Sequence, residues 1–181
     1  MRIRFLILLL LLCAGCSEAP KSETPAPTPA VPVAAPAGQV HGDLRQVMRG
    51  VLFPNSNVVF AAQDKLDVKQ AKDPSTATDP LASTYGGWQA VENSSIALAE
   101  SANLLTMPGR KCSNGRAVPV DNEDWKKFVQ ELRDAGMASY KAAQAKSTDE
   151  IVNAAGTITE ACSHCHDKYR EKPAGEQDRC M

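Results

Sequence analysis

Near the C-terminus stands Cys162-Ser163-His164-Cys165-His166, two thiols three residues apart with an imidazole directly after the second. This C-x-x-C-H spacing is that of c-type haem attachment. Each thiol can add across one haem vinyl group to form a thioether, and the adjacent imidazole can then turn onto the iron as proximal ligand. On a helix, Cys162 and Cys165 sit at i and i+3 and His166 at i+4, so all three share one face. Two plainer chemistries compete. A structural disulfide or thioredoxin-like C-x-x-C would not require the following histidine, and it usually accompanies a βαβ pattern that this sequence lacks. A zinc site would want four ligands, and only His41 and His164 remain as imidazoles. One covalently held haem c is the expectation.

The elements that must position these groups read as helices. Val40, Leu44, Val47 and Val51 form an apolar stripe of helical period, continuing through Pro54 to Val58. Pro54 predicts a kink or a restart, with Asn55 or Ser56 as cap of the second piece. Residues 67–83, with Pro74 and Pro80, read as a long connection. The second helix is expected from about Tyr85, along Trp88, Val91, Ser95, Leu98, Ala102 and Leu105, and is ended by Met107-Pro108-Gly109. The third opens at Asp121 as N-cap and carries Trp125, Phe128, Val129, Leu132, Gly136 and Tyr140. Ser147-Thr148-Asp149-Glu150 reads as a capping box for the fourth. Its stripe is Ile151, Ala155, Ile158, Cys162, Cys165 and Tyr169, which places the two thiols on the core side. No stretch alternates as a strand would. An all-α, antiparallel four-helix bundle with the cofactor in its core is predicted.

The 181 residues suit one domain with appendages, and a net charge of −1 without a basic block argues against nucleic acid as a partner. Met1-Arg2-Ile3-Arg4 and the apolar run from Phe5 to Leu12 read as a signal peptide, too short for a permanent span. Residues 1–15 end in Leu12-Cys13-Ala14-Gly15-Cys16, which resembles a bacterial lipobox with Cys16 as the lipidated residue. Cys13 departs from the leucine usual at that position, and ordinary cleavage nearby is the competing reading. Loss of Arg2 and Arg4 would lower the basic count from 20 to 18 against 21 acids, a mature charge near −3. Residues 16–40, rich in proline and alanine and free of aromatics, read as an extended spacer, and residues 41–181 as the folded domain.

Of the six cysteines, Cys112 and Cys180 remain after these assignments. In an oxidising compartment they are a candidate disulfide, with two free thiols as the alternative. The predicted order of helices puts the ends of the second and fourth at one pole, next to these two cysteines.

The run Cys162-Ser-His-Cys165-His166-Asp-Lys-Tyr169-Arg170 resembles the C-x-x-C-H-x-x-Y-R motif that the cytochrome c′ family, including its low-spin six-coordinate relatives, carries on the last helix of a four-helix bundle. Leu44-Arg45-Gln46-Val47-Met48 is more loosely similar to that family's first-helix segment, which reaches the distal face of the haem. The resemblance covers about residues 41–172. Pro54, the 67–83 connection and the 109–120 loop depart from the pattern. It implies thioethers at Cys162 and Cys165, His166 as proximal iron ligand, and Arg170 beside that ligand, where a solvated helix-end arginine is the plainer reading. Met48 is either a distal iron ligand or a core methionine filling space beside the cofactor. Met107 and Met137 are weaker candidates, His41 sits at the domain edge, and His164 is expected to be exposed.

The function expected is one-electron transfer, without an enzymatic cycle, between redox partner proteins. Its setting would be the periplasm of a Gram-negative bacterium, on a membrane to which Cys16 anchors the chain. The alternative is a five-coordinate haem that binds nitric oxide or carbon monoxide, with ligand-driven changes in homodimerisation.

Overall fold

The structure, a computed structural model, describes residues 38–65 and 71–180. The signal segment, Cys16 and the spacer up to residue 37 lie outside the described residues. Among those described the fold is all-helical, and the only β pairing is an isolated bridge between Lys111 and Ala117.

Helix α1 (Leu44–Val47) begins at a complete capping box: Asp43 Oδ1 accepts from Gln46 N at 2.8 Å, and Gln46 Oε1 accepts from Asp43 N at 2.9 Å. It runs into a π-helical turn, Met48–Leu52, and then into α2 (Phe53–Lys65). The restart expected at Pro54 does not occur. A proline has no N–H to give, and its ring would press on the carbonyl four residues back. The wider turn meets that problem one residue earlier, with Phe53 N–H donating to Met48 O, five positions back. Asn55 and Ser56 do not cap a new helix. Asn55 Nδ2 donates to Val51 O at 2.7 Å, and Ser56 Oγ to Phe53 O at 3.0 Å.

The 67–83 connection carries two short 3-10 turns, Pro74–Thr76 and Pro80–Ala82, each opened by an aspartate whose carboxylate accepts from the turn's backbone. Helix α3 (Trp88–Leu105) starts after Gly87, at φ 59°, rather than at Tyr85. Helix α4 (Glu123–Gln144) has Asn122, not Asp121, at its N-cap, and the Asp124 carboxylate takes up Trp125 N at 2.9 Å. Helix α5 (Thr148–His166) opens at Ser147, whose Oγ accepts from Glu150 N at 3.3 Å. It ends in a second π-helical turn, Asp167–Glu171.

Helix α3 packs against α4, α4 against α5, and α2 against both α3 and α5. Helices α3 and α4 run in opposite directions, as do α4 and α5. Ser95 Oγ in the first half of α3 meets Ser139 Oγ near the end of α4 at 2.7 Å, while Trp125 Nε1 at the start of α4 donates to Leu105 O at the end of α3 at 3.1 Å. Between α4 and α5, Glu131 pairs with His164, and Asp124, nearer the start of α4, with Tyr169 beyond the end of α5. Leu98, Trp125, Ile151, Ile158, Val59 and Val91 are fully buried at the centre.

Candidate functional site

The last turns of α5 bring Cys162, Cys165 and His166 onto one wall of a cavity of about 720 Å³. That volume lies within the range of small-molecule and cofactor sites. The facing wall comes from the first π turn and α2, through Met48, Leu52, Phe53 and Phe60, and the floor from Leu98, Leu105, Phe128 and Leu132. A second cavity, of about 350 Å³, shares Met48, Arg49, Cys165, His166 and Arg170 with the first and adds Trp125 and Tyr169. Both π turns therefore border the site, a place where such bulges recur in functional helices.

Cys162 and Cys165 are half-buried free thiols. Burial pushes both up, Cys165 to about 12, with the neighbouring Cys162 and Asp124 adding to that rise and Arg170 opposing it. Such thiols stay protonated near neutral pH. Among the described residues no group of three or more His, Cys, Asp or Glu side chains is arranged to hold a metal ion. A metal carried inside a macrocycle needs from the protein only axial donors, and His166 and Met48 are both at the cavity. Burial, and then the Arg170 guanidinium, lowers the His166 pKa and so favours the neutral imidazole that can coordinate.

Among the described residues no carboxylate lines either cavity. The charged side chains that do so are Arg49 and Arg170, which line both, and Arg45 in the second. An apolar chamber edged by arginines fits a flat, apolar macrocycle that carries carboxylates on one edge, as haem does, since guanidinium recognises carboxylate in bidentate fashion. Arg170 also pairs with Glu171 at 2.6 Å on the exposed side.

The remaining sequence candidates fall elsewhere. Met107 Sδ accepts from buried Arg110 at 3.3 Å, and Met107, Met137 and His41 do not line these cavities. His164 is exposed and reaches to α4, with Nδ1 2.8 Å from Glu131 Oε2. Cys112 and Cys180 are joined by a disulfide. The sequence reading passed over Arg49 and Phe53. Phe53 lines the cavity mouth while 64% exposed. The signal for Arg49 was its place directly after Met48, but its orientation follows from the π turn. Comparison with family models, curated proteins and solved structures finds no match to this chain.

Proposed function

We propose that the chain is a monohaem c-type cytochrome, built as an antiparallel four-helix bundle like that of the cytochrome c′ family, and that it transfers single electrons between partner proteins. The observation that carries this is the convergence of two free thiols, one imidazole and one thioether on a single, mainly apolar cavity. Cys162 and Cys165 would tether the haem and His166 and Met48 would supply donors to its iron, while Arg49 and Arg170, with Arg45, would pair with its carboxylates. When bound, the group supplies an Fe(III)/Fe(II) couple whose potential is set by ligand identity, burial and nearby charge. Leu98, Leu105 and Leu132, all buried, would help to exclude water from that centre.

The remaining elements of the proposal rest on the sequence. A lipidated Cys16 and a proline-rich spacer would hold the domain near a periplasmic membrane surface and raise its effective concentration towards partners there. Among the described residues no helix is long and apolar enough to cross a membrane. Detergent-phase partitioning of the wild-type chain, abolished by Cys16→Ser, tests the anchor; a wild type that stays in the aqueous phase removes it.

The apolar floor of Leu98, Leu105, Phe128 and Leu132 also supports the second reading, a five-coordinate haem with room for nitric oxide or carbon monoxide. Visible spectra of the reduced protein with and without carbon monoxide separate the two. An α band of low-spin form that carbon monoxide leaves unmoved supports the electron carrier, and a high-spin spectrum that shifts on addition of the gas supports the gas-binding protein.

A further inference from the structure

The two walls of the site are joined outside it by one short loop. After α3 the chain makes a tight reversal: Cys112 N donates to Arg116 O at 2.8 Å and Val118 N to Arg110 O at 3.1 Å, with Gly115 at φ 81° at the turn. Three consecutive residues of this reversal reach three separate segments. Arg110, 4% exposed, donates from Nη1 to Gly42 O at 2.6 Å and from Nε to Leu104 O at 2.8 Å. Lys111 O accepts from Leu44 N at 2.8 Å, taking up one of the unpaired amides at the start of α1. Cys112 is bonded to Cys180.

The C-terminal tail carries that link to the other wall. Cys180 N donates to Tyr169 O at 2.7 Å, and Arg179 Nη1 donates to Arg170 O, so the tail takes up carbonyls left open where α5 ends. Asn114 Nδ2 adds a bond to Arg179 O at 2.7 Å. Cys180 itself lines the second cavity with His166 and Met48. The start of the Met48 helix and the end of the His166 helix thus hang on Arg110, Lys111 and Cys112.

We infer that the 110–118 loop with its Cys112–Cys180 bridge is a positioning clamp that fixes the Met48 and His166 walls against each other and so controls access of small ligands between them. The second half of this statement rests on the haem reading above; the mechanical half does not. The bridge closes a separation of 68 residues, so its loss frees the tail over a long stretch of chain. The clamp acts through the backbone bonds at Leu44 and Tyr169.

Amide hydrogen exchange of the full chain, wild type against Cys112→Ala/Cys180→Ala, tests the clamp. Exchange should quicken on the order of tenfold or more in both 43–49 and 167–172, while 95–101 in α3 and 132–139 in α4 keep their protection, because local openings are cooperative and segmental. Faster exchange confined to 173–180 would overturn the clamp. Should the double variant lose protection throughout, Asn114→Ala decides, since it keeps the bridge and removes the Asn114 side chain's bonds to Arg179 O and from Arg116 N. A smaller rise in both segments supports the clamp, and a rise in the tail alone overturns it. In haem-loaded protein the fraction binding carbon monoxide at fixed gas pressure should rise severalfold in the double variant; unchanged uptake overturns the control of access. Coupled exchange in a protein with no haem absorbance removes the haem reading and leaves the clamp standing.

Discussion

The phenol of Tyr169, three residues beyond His166, donates to Asp124 Oδ1 at 2.6 Å and packs edge-on against Trp125 with ring centroids 5.1 Å apart. This contact pins the chain just beyond the Cys162–His166 segment to the first turn of α4. The Lys168 ammonium and then the Tyr169 hydroxyl hold the Asp124 carboxyl below the usual carboxylate range, and burial together with that carboxylate pushes the phenol up to about 12. A raised phenol stabilises the fold fully below its unfolded value near 10, and that contribution is lost as pH rises towards 12. A depressed carboxyl contributes above its unfolded value and loses its effect as pH falls through the folded one. Tyr169→Phe should therefore cost roughly 1–2 kcal/mol at pH 8, the worth of a hydrogen bond to a charged group, discounted because the Asp124 carboxylate is partly exposed. Urea unfolding of wild type and variant at pH 8, 10 and 11 checks this: the gap should narrow at the alkaline end, and a gap independent of pH would remove the proton linkage.

Gly136 sets how closely α3 and α4 can approach. A Cβ there would lie 2.7 Å from Ala99 N, a backbone atom that cannot swing aside. The buried Ser95–Ser139 pair, one turn away on each helix, depends on the same approach. Gly136→Ala should destabilise by about 1–3 kcal/mol through overpacking, despite the better helix propensity of alanine. Thermal unfolding checks the sign: a variant as stable as wild type would mean that the two helices separate at little cost.

How much of this could be read from the chain depended on whether each feature is set locally. The α5 stripe was legible because Ile151, Ala155, Ile158 and Tyr169 repeat at helical spacing and are all buried, with Ser147 marking the start. The end of α3 was legible from Met107-Pro108-Gly109. Its beginning was not, because Tyr85 fits the stripe yet lies before two glycines: Gly86 has backbone oxygens where a Cβ would go, and Gly87 needs positive φ. The N-cap of α4 fell between Asp121 and Asn122, two residues of similar capping strength. At Pro54 the residues announced a conflict but not its solution, and the π turn that resolves it is what places Arg49 on the cavities. The burial of Arg110 was illegible for a different reason, since its partners Gly42 O and Leu104 O are backbone atoms that leave no mark on side-chain pattern.

Covalent attachment has its own signature. Haem-stained absorbance that survives a denaturing gel is expected for the wild-type chain and should vanish in Cys162→Ala/Cys165→Ala, while a single replacement leaves one thioether and a shifted α band. Both thiols are half-buried on the cavity side of α5, so the double variant should also lose about 1–2 kcal/mol from packing, as buried truncations do. A wild-type chain purified without such colour from cells competent in haem attachment would end the haem reading.

Met48 is the residue on which the two functional readings divide. It sits where α1 widens into the π turn and lines both cavities with His166. A thioether donor favours the reduced iron and raises the potential, and its removal leaves a coordination position open. Met48→Ala should convert a low-spin spectrum to a high-spin one, lower the reduction potential and make the reduced protein responsive to carbon monoxide, with only about 1–2 kcal/mol lost from unfolding stability because the side chain is half-buried. Potentiometric titration with parallel visible spectra measures all but the last, and urea unfolding supplies it. A broad high-spin spectrum in the unmutated protein, unaltered by Met48→Ala, would leave Met48 as a space-filling side chain and make gas binding the better account of the cavity.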